Sequence, residues 1–375
     1  MNDQFDQSIA DSQATVVEPI EPEAFDFSAY ERYESGLRDK CLSFIDSGSG
    51  VMVYRRMRVA EVFSYGCGDM ESSLSMQLGG LKKSMYYRAD IPNFLEPWYG
   101  IGTVASSFGI DYAWHEGQAP AFMPKFKTVK DALDYPVVSV KDTPIGRFTL
   151  KTIDYFLEKT DGRLPMSLCD VQSPLNTACQ IVDMNSLFME LFDNPDSVKE
   201  LFDRIADLLT EFTYEQVKRI GKSIVWPGHG FASSRFFTGL GSSDDNSLML
   251  SADQYKQFAI PAMVKAAASF GGPVFHSCGN WTHLAPTVVQ IPNLKMADGA
   301  FGAQTDPNPN DPEAVGKVFA DTGIILNARI VGDCQEVEKQ VKKLWTPGMK
   351  LIVVTYCKTP DEQQRAYDTI HNICQ

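Results

Sequence analysis

The sequence predicts an α/β protein built as a (β/α)8 TIM barrel with an N-terminal helical extension. Its 375 residues are long for one sandwich or one doubly wound sheet and ordinary for a barrel with insertions. From about residue 136 onward, short continuous apolar runs alternate with amphipathic stretches, the signature of parallel strands buried on both faces. Seven such runs fall between residues 164 and 357, more than half a doubly wound sheet needs.

The N-terminal segment, residues 1–29, is polar and acidic and is expected to be flexible. Residues 30–375 read as a single barrel domain, with N-terminal helices and capping loops over 30–135 and regular βα units over 136–375. "YERYESGLRDKCLSFI" (30–45) has helical spacing to about residue 46, while "VMVYRRMRVAEVF" (51–63) fits strand and helix equally. The Gly- and aromatic-rich stretch after it reads as helices and long loops capping one end.

The helix "GRFTLKTIDYFLEKT" then precedes a strand at 164–170. A long helix over about 196–221 opens with Asn194 as N-cap and Pro195 at its first position. Strands follow at "SIVWP", "SRFFTGL", "PVFHSC", "NLKMAD", "GIILNA" and "KLIVVTYC". Helices lie between the later strands and after the last, including one opened by Ser251-Ala252-Asp253-Gln254 and another at "WTHLAPTVVQ".

Charge and composition narrow the class. With 34 basic against 48 acidic residues and a net charge of −14, the chain is poorly suited to coat nucleic acid or an anionic membrane. No apolar run approaches the ~20 residues of a membrane helix, and the first residues lack the basic and apolar regions of a secretory signal. A cytoplasmic enzyme with reduced thiols is expected. No G-x-G-x-x-G follows a strand and no P-loop occurs, so dinucleotide or nucleotide binding has no support.

The barrel places the C-terminal ends of its strands on one face, where active sites are built. His276 and Cys278 share side-chain parity at one strand end, and Cys357 ends the last strand. Imidazole plus two thiols is an N/S/S set with an open fourth position, the pattern of catalytic zinc, and soft thiolates disfavour magnesium or calcium. Cys41, Cys67, Cys169 and Cys179 read as small buried hydrophobes, Cys334 as a helix-end thiol, and Cys374 with His371 as packing on the last helix. His229, in "PGHGF", follows a strand end and lines the expected mouth; His283 reads as a capping residue, and His115 carries no signal.

"FHSCGNW", followed far later by "VVTYCKTPDEQQRAYDTI", resembles the uroporphyrinogen decarboxylase-like superfamily. The nearer branch is the zinc-dependent methylcobamide:thiol methyltransferases, of the coenzyme M type. "QSPLNTACQIVDMNSLFMELFDNPDSVKELF" and "SSDDNSLMLSADQYKQFAIPAMVKAA" are similar to that branch too, and the likeness spans roughly residues 35–375. The decarboxylases' early Gln-Ala-Gly-Arg segment has only "YRRMRVAEVF" as its counterpart.

The resemblance implies a methyltransferase moving a methyl group between a corrinoid and a thiol acceptor held as a zinc thiolate. It implies Zn2+ on His276, Cys278 and Cys357, with Asp298 as the positional match to an acidic fourth ligand, and methylcobamide on a partner corrinoid protein. Asp170 and Asp245 are the expected catalytic carboxylates. Asn176, Asp244, His229 and Trp98, the last in the aromatic loop "NFLEPWYGIG", are expected to bind substrate. Barrels of this family pair, so a homodimer is consistent with it. A decarboxylase of the same superfamily, a non-catalytic ligand-binding barrel, and methyl transfer to a folate or amino-acid thiol remain alternatives.

Overall fold

The computed structural model describes residues 13–375. Six parallel strands form one sheet: β1 (Gly50–Arg55), β2 (Leu240–Ser243), β3 (Pro273–His276), β4 (Met296–Ala300), β5 (Ile325–Ile330) and β6 (Lys350–Thr355). Their spatial order is β1-β6-β5-β4-β3-β2, so sequential strands from β2 to β6 are neighbours and β1 pairs with β6. Every residue of β4, β5 and β6 is buried, as a barrel wall clad in helices requires.

Two irregular staves close the gap between β1 and β2. Asp90 N donates to Val53 O at 2.8 Å, which lays residues 90–95 beside β1. Leu95 N donates to Pro165 O and Ser167 N to Leu95 O, adding the 164–168 segment. Farther along, Ser243 N donates to Val171 O and Ser173 N to Ser243 O, joining that segment to β2. With the six strands these make the eight staves of the predicted barrel. Pro92, Pro97 and Pro165 each remove a ladder donor, which accounts for the broken pairing.

The structure revises several elements. The ambiguous 51–63 stretch is strand only to Arg55 and then turns. Residues 90–95, read as capping loop, are a stave. The expected strand at 223–227 is a short wedge bridged to Met166, and 234–240 is a turn, with the strand beginning at Leu240. The helix expected after "FHSCGN" shrinks to two short turns, Thr282–Leu284 and Ala285–Val288.

The long helix runs Pro195–Ile220 with Pro195 at its first turn; Asn194 occupies the N-cap, though its side chain makes no capping bond. Ser251 and Gln254 form the expected capping box. One turn later, Tyr255–Ala259 is π-helical, since Pro261 cannot donate the bond a regular turn would need.

The helix expected from residue 30 begins at Phe27 and ends at Asp46, with Asp26 capping Ala29 N at 2.9 Å. Before it, Thr15 N donates to Arg58 O and Ile20 N to Ser75 O. Of the N-terminal segment expected to be flexible, residues 1–12 lie outside the described residues. Among the described residues no helix is long and apolar enough to cross a membrane.

Candidate metal centre

His276 is the last residue of β3, and its register partner on β4 is Asp298, itself paired with Asn327 on β5. Parallel register thus sets three polar side chains in a row across strands that are mostly apolar. His276 Nδ1 lies 2.6 Å from Asp298 Oδ2. Asn327 Nδ2 donates to Asp298 Oδ1 at 2.5 Å, and Arg329 Nε to Oδ2 at 2.9 Å. Asp298 is fully buried. Burial alone would push its carboxyl up, but Arg329 and His276 overcome this and hold it below the usual carboxylate range. A carboxylate so held keeps the His276 proton on Nδ1 and leaves Nε2 free to ligate.

Past β3 the chain turns sharply at Gly279, whose φ of +73° suits glycine. Asp245 Oδ1 accepts from Cys278 N at 2.6 Å, and Asp306 and Asn310 hold the backbone of Gly279. Trp281 anchors the end of the turn. It is fully buried, stands edge-on to Phe275 with ring centres 5.4 Å apart, and takes Asn310 Oδ1 on its backbone N–H. Space for it comes from Gly299, where a Cβ would lie 2.9 Å from the indole.

The result is a cluster of three ligand atoms, one each from Asp245, His276 and Cys278, all within 4.8 Å of one another. Cys278 Sγ is 3.4 Å from His276 Nε2, and Asp245 Oδ1 is 3.8 Å from the same nitrogen. Burial disfavours a charged His276, yet the Asp298 carboxylate and Cys278 raise its pKa well above the ordinary imidazole value. An imidazole, a thiol and a carboxylate converging at a strand end fit a zinc-type ion with an open coordination position. Phe231 closes one side, its ring at 84° to the His276 ring with centroids 6.0 Å apart.

Of the residues singled out in the sequence, His276 and Cys278 come together as expected. Asp245, read as catalytic, joins them as a third donor. Asp298 supports His276 from behind and is outside the cluster. Cys357 is buried, with its carbonyl taking Arg55 Nε, and does not join these three. Burial first, then the nearby Glu362, pushes its thiol up to about 12.

Asp244 is fully buried, bonded by Ser173 and by Tyr255 Oη at 2.6 Å. Burial, with Asp245 beside it, raises its carboxyl to about 6. Asn176 Nδ2 bridges Gln172 Oε1 at 3.0 Å and Asp245 Oδ2 at 3.3 Å, while its Oδ1 takes the backbone N–H of Asn246. Both therefore brace the Asp245 loop. Asp170 accepts from Trp98 Nε1 at 3.0 Å and from Gln172 Nε2 at 2.9 Å.

Asp170, His229, Asp245, His276 and Cys278 line one cavity of about 250 Å3, together with Arg56 and Arg329. Sequence reasoning missed Glu96, Arg56 and Arg329 as parts of this face. Their signal was a charge inside an apolar run: Glu96 in "NFLEPW", Arg329 in "LNARIV". A charged residue in a buried strand needs a partner or a function.

Residues 81–353 match the family described as Uroporphyrinogen decarboxylase (URO-D). Among solved structures, a methyltransferase from Methanosarcina mazei superposes with a TM-score of 0.60 at 14% identity, over 90% of this chain and 98% of that one. No curated protein matches the sequence.

Proposed function

This chain belongs to the uroporphyrinogen decarboxylase family, and from that premise we propose that it is a zinc-dependent methyltransferase, moving a methyl group between a corrinoid and a thiol acceptor. The observation that carries this reading is the convergence of Asp245, His276 and Cys278 at the barrel mouth. Those three residues would hold the ion. Bound there, zinc supplies the Lewis acidity that converts a weakly acidic thiol, of pKa ~8.5, into a nucleophilic thiolate at neutral pH.

The chain's own residues do the rest. Asp298 fixes the His276 tautomer and Asp245 shapes the Cys278 turn through its backbone N–H. Asn176 and Asp244 keep the Asp245 loop in place, and Trp98, behind the cavity wall, holds Asp170 through its indole N–H. Cys278 is exposed at the mouth, where a methyl donor too large to be enclosed, such as a corrinoid carried on a partner protein, would reach the site. The methyltransferase that shares this fold supports the methyl-transfer part of this reading. Cys357 is the further donor that the sequence suggests.

Metal analysis tests it. Purified protein offered zinc should hold about one ion per chain, lost in Cys278→Ser and Asp245→Ala. Cys357→Ser decides whether the last strand contributes a ligand. The zinc-loaded protein should then demethylate free methylcobalamin in the presence of a thiol, read by the cobalamin spectrum. A protein that takes up no zinc overturns the proposal.

A further inference from the structure

A second cavity, of about 510 Å3, opens beside the exits of β1 and β6 and shares no lining residue with the metal cavity. Arg55, Lys83 and Lys358 line it, and among the described residues Glu61 is its one acidic lining residue. Three cations around one acid stand out on a chain whose net charge is −14. Successive side chains of a strand point to opposite sides, so in "YRRMR" Arg56 enters the metal cavity and Arg55 this one.

Arg55 is the unusual member. It is only 2% exposed, yet its guanidinium meets neutral acceptors alone. Nε donates to Cys357 O at 2.8 Å, Nη1 to Arg56 O, and Nη2 to Thr15 Oγ1 at 3.2 Å. Its Cζ lies 5.1 Å from the centre of the Tyr87 ring. Among the described residues it makes no ion pair, whereas Arg56 lies 3.7 Å from Glu96 and Arg329 2.9 Å from Asp298. Burial pulls its pKa below the ordinary arginine value, and what pushes back is the Cys357 thiol and nearby phenols rather than a carboxylate. A buried charge without a counter-charge is costly; an anion in the cavity would remove that cost.

The rest of the lining is held in place. Lys83, in the last turn of the helix Met70–Ser84, donates from Nζ to Val16 O at 2.8 Å. Tyr87 Oη donates to Lys358 O at 2.7 Å and Lys358 N to Glu362 Oε2 at 2.9 Å, fixing the backbone from which Lys358 projects.

We propose that this cavity binds a small molecule through a phosphate group. Each Nη of Arg55 keeps one hydrogen beyond the one already engaged, a fork matched to two oxygens of one oxyanion. Three cations less Glu61 leave two positive charges, the complement of a phosphate monoester at neutral pH. The cavity is larger than a phosphate needs, and Ala14, Val16 and Ala60 are left to face the organic part. Because Arg55 also holds the Cys357 carbonyl, the bound ligand is tied to the end of the last strand. The site stands whether or not the thiol reading does.

The probe is inorganic phosphate, titrated into the full chain in a calorimeter at constant ionic strength. Wild type should show a saturable heat. Lys83→Gln with Lys358→Gln should weaken the affinity by roughly tenfold or more, since two charge-assisted contacts are lost, while cooperative thermal unfolding is retained. Glu61→Gln removes the one opposing charge and should bind phosphate more tightly than wild type, a gain that misfolding cannot imitate. No saturable heat in wild type overturns the proposal, and so does equal phosphate affinity in all three proteins.

Discussion

His276 and Asp298 are register partners on neighbouring parallel strands, and their side chains meet at 2.6 Å. Backbone pairing therefore sets the distance between the imidazole and the carboxylate that orients it. Neither residue depends on a loop for this contact. Asn327 and Arg329, on the next strand, fix the carboxylate in turn.

Asp298→Asn should weaken metal binding by about 10–100-fold, since a carboxylate behind a ligating imidazole fixes its tautomer and basicity. The measurement is competition with a chromogenic chelator. The same variant leaves Arg329 beside a neutral amide in a buried site, so its melting temperature should fall as well. Unchanged zinc affinity would show that Nε2 of His276 is not a ligand.

Cobalt substitution should report the donor set directly. With Co2+ in place of zinc, a thiolate ligand gives an intense sulfur-to-metal charge-transfer band in the near ultraviolet. Cys278→Ser should remove it if Asp245, His276 and Cys278 are the only protein donors. A band that survives in Cys278→Ser and disappears in Cys278→Ser with Cys357→Ser would bring the last strand into the site. Magnesium, a hard ion that prefers oxygen ligands, should not displace the cobalt.

The barrel was legible because its later half obeys one rule: buried parallel strands are short apolar runs followed by amphipathic helices. β4 to β6 follow that rule, and each was visible, as was β3, although only two short turns follow it. The 90–95 stave was not, because Pro92 and Pro97 disguise it as loop and because its pairing with Val53 and Pro165 is long-range. His276 and Cys278 were legible because they share side-chain parity at one strand end while Cys357 ends another. Asp245 was singled out as a carboxylate of the mouth, yet its approach to them depends on how the chain turns after β2, and no local pattern encodes that. Glu96 reaches His229 across 133 positions, a separation that only the closed barrel bridges.

Gly241 on β2 controls the wall next to the candidate metal ligands. A Cβ there would lie 2.4 Å from Phe231 Cε2 and 3.1 Å from Pro227 O. Gly241→Ala should destabilise the fold by about 1–3 kcal/mol through overpacking and push Phe231 away from its edge-on contact with His276. Thermal unfolding reads the first effect. In Gly241→Ala with Phe231→Leu, the smaller side chain should recover part of the loss, so the two changes should be less than additive.

Asp90 ties the irregular stave to both ends of the chain. It accepts from Val53 N at 2.9 Å, Lys40 Nζ at 2.7 Å, Tyr367 Oη at 2.6 Å and the His371 imidazole at 2.9 Å. Burial would raise its pKa, but the bonds from His371, Lys40 and Tyr367 outweigh that and lower it to about 2. A carboxyl depressed in the folded state binds fewer protons there than in the unfolded chain, where its pKa is ~3.9. Its stabilisation is thus complete above pH ~4 and fades as pH falls toward 2, amounting to about 2.5 kcal/mol. Asp90→Asn should lose this at neutral pH, and its stability should change less than that of the wild type between pH 5 and pH 2. Urea unfolding across that range is the measurement. Parallel curves for the two proteins would mean that the four partners hold the stave without the charge on Asp90.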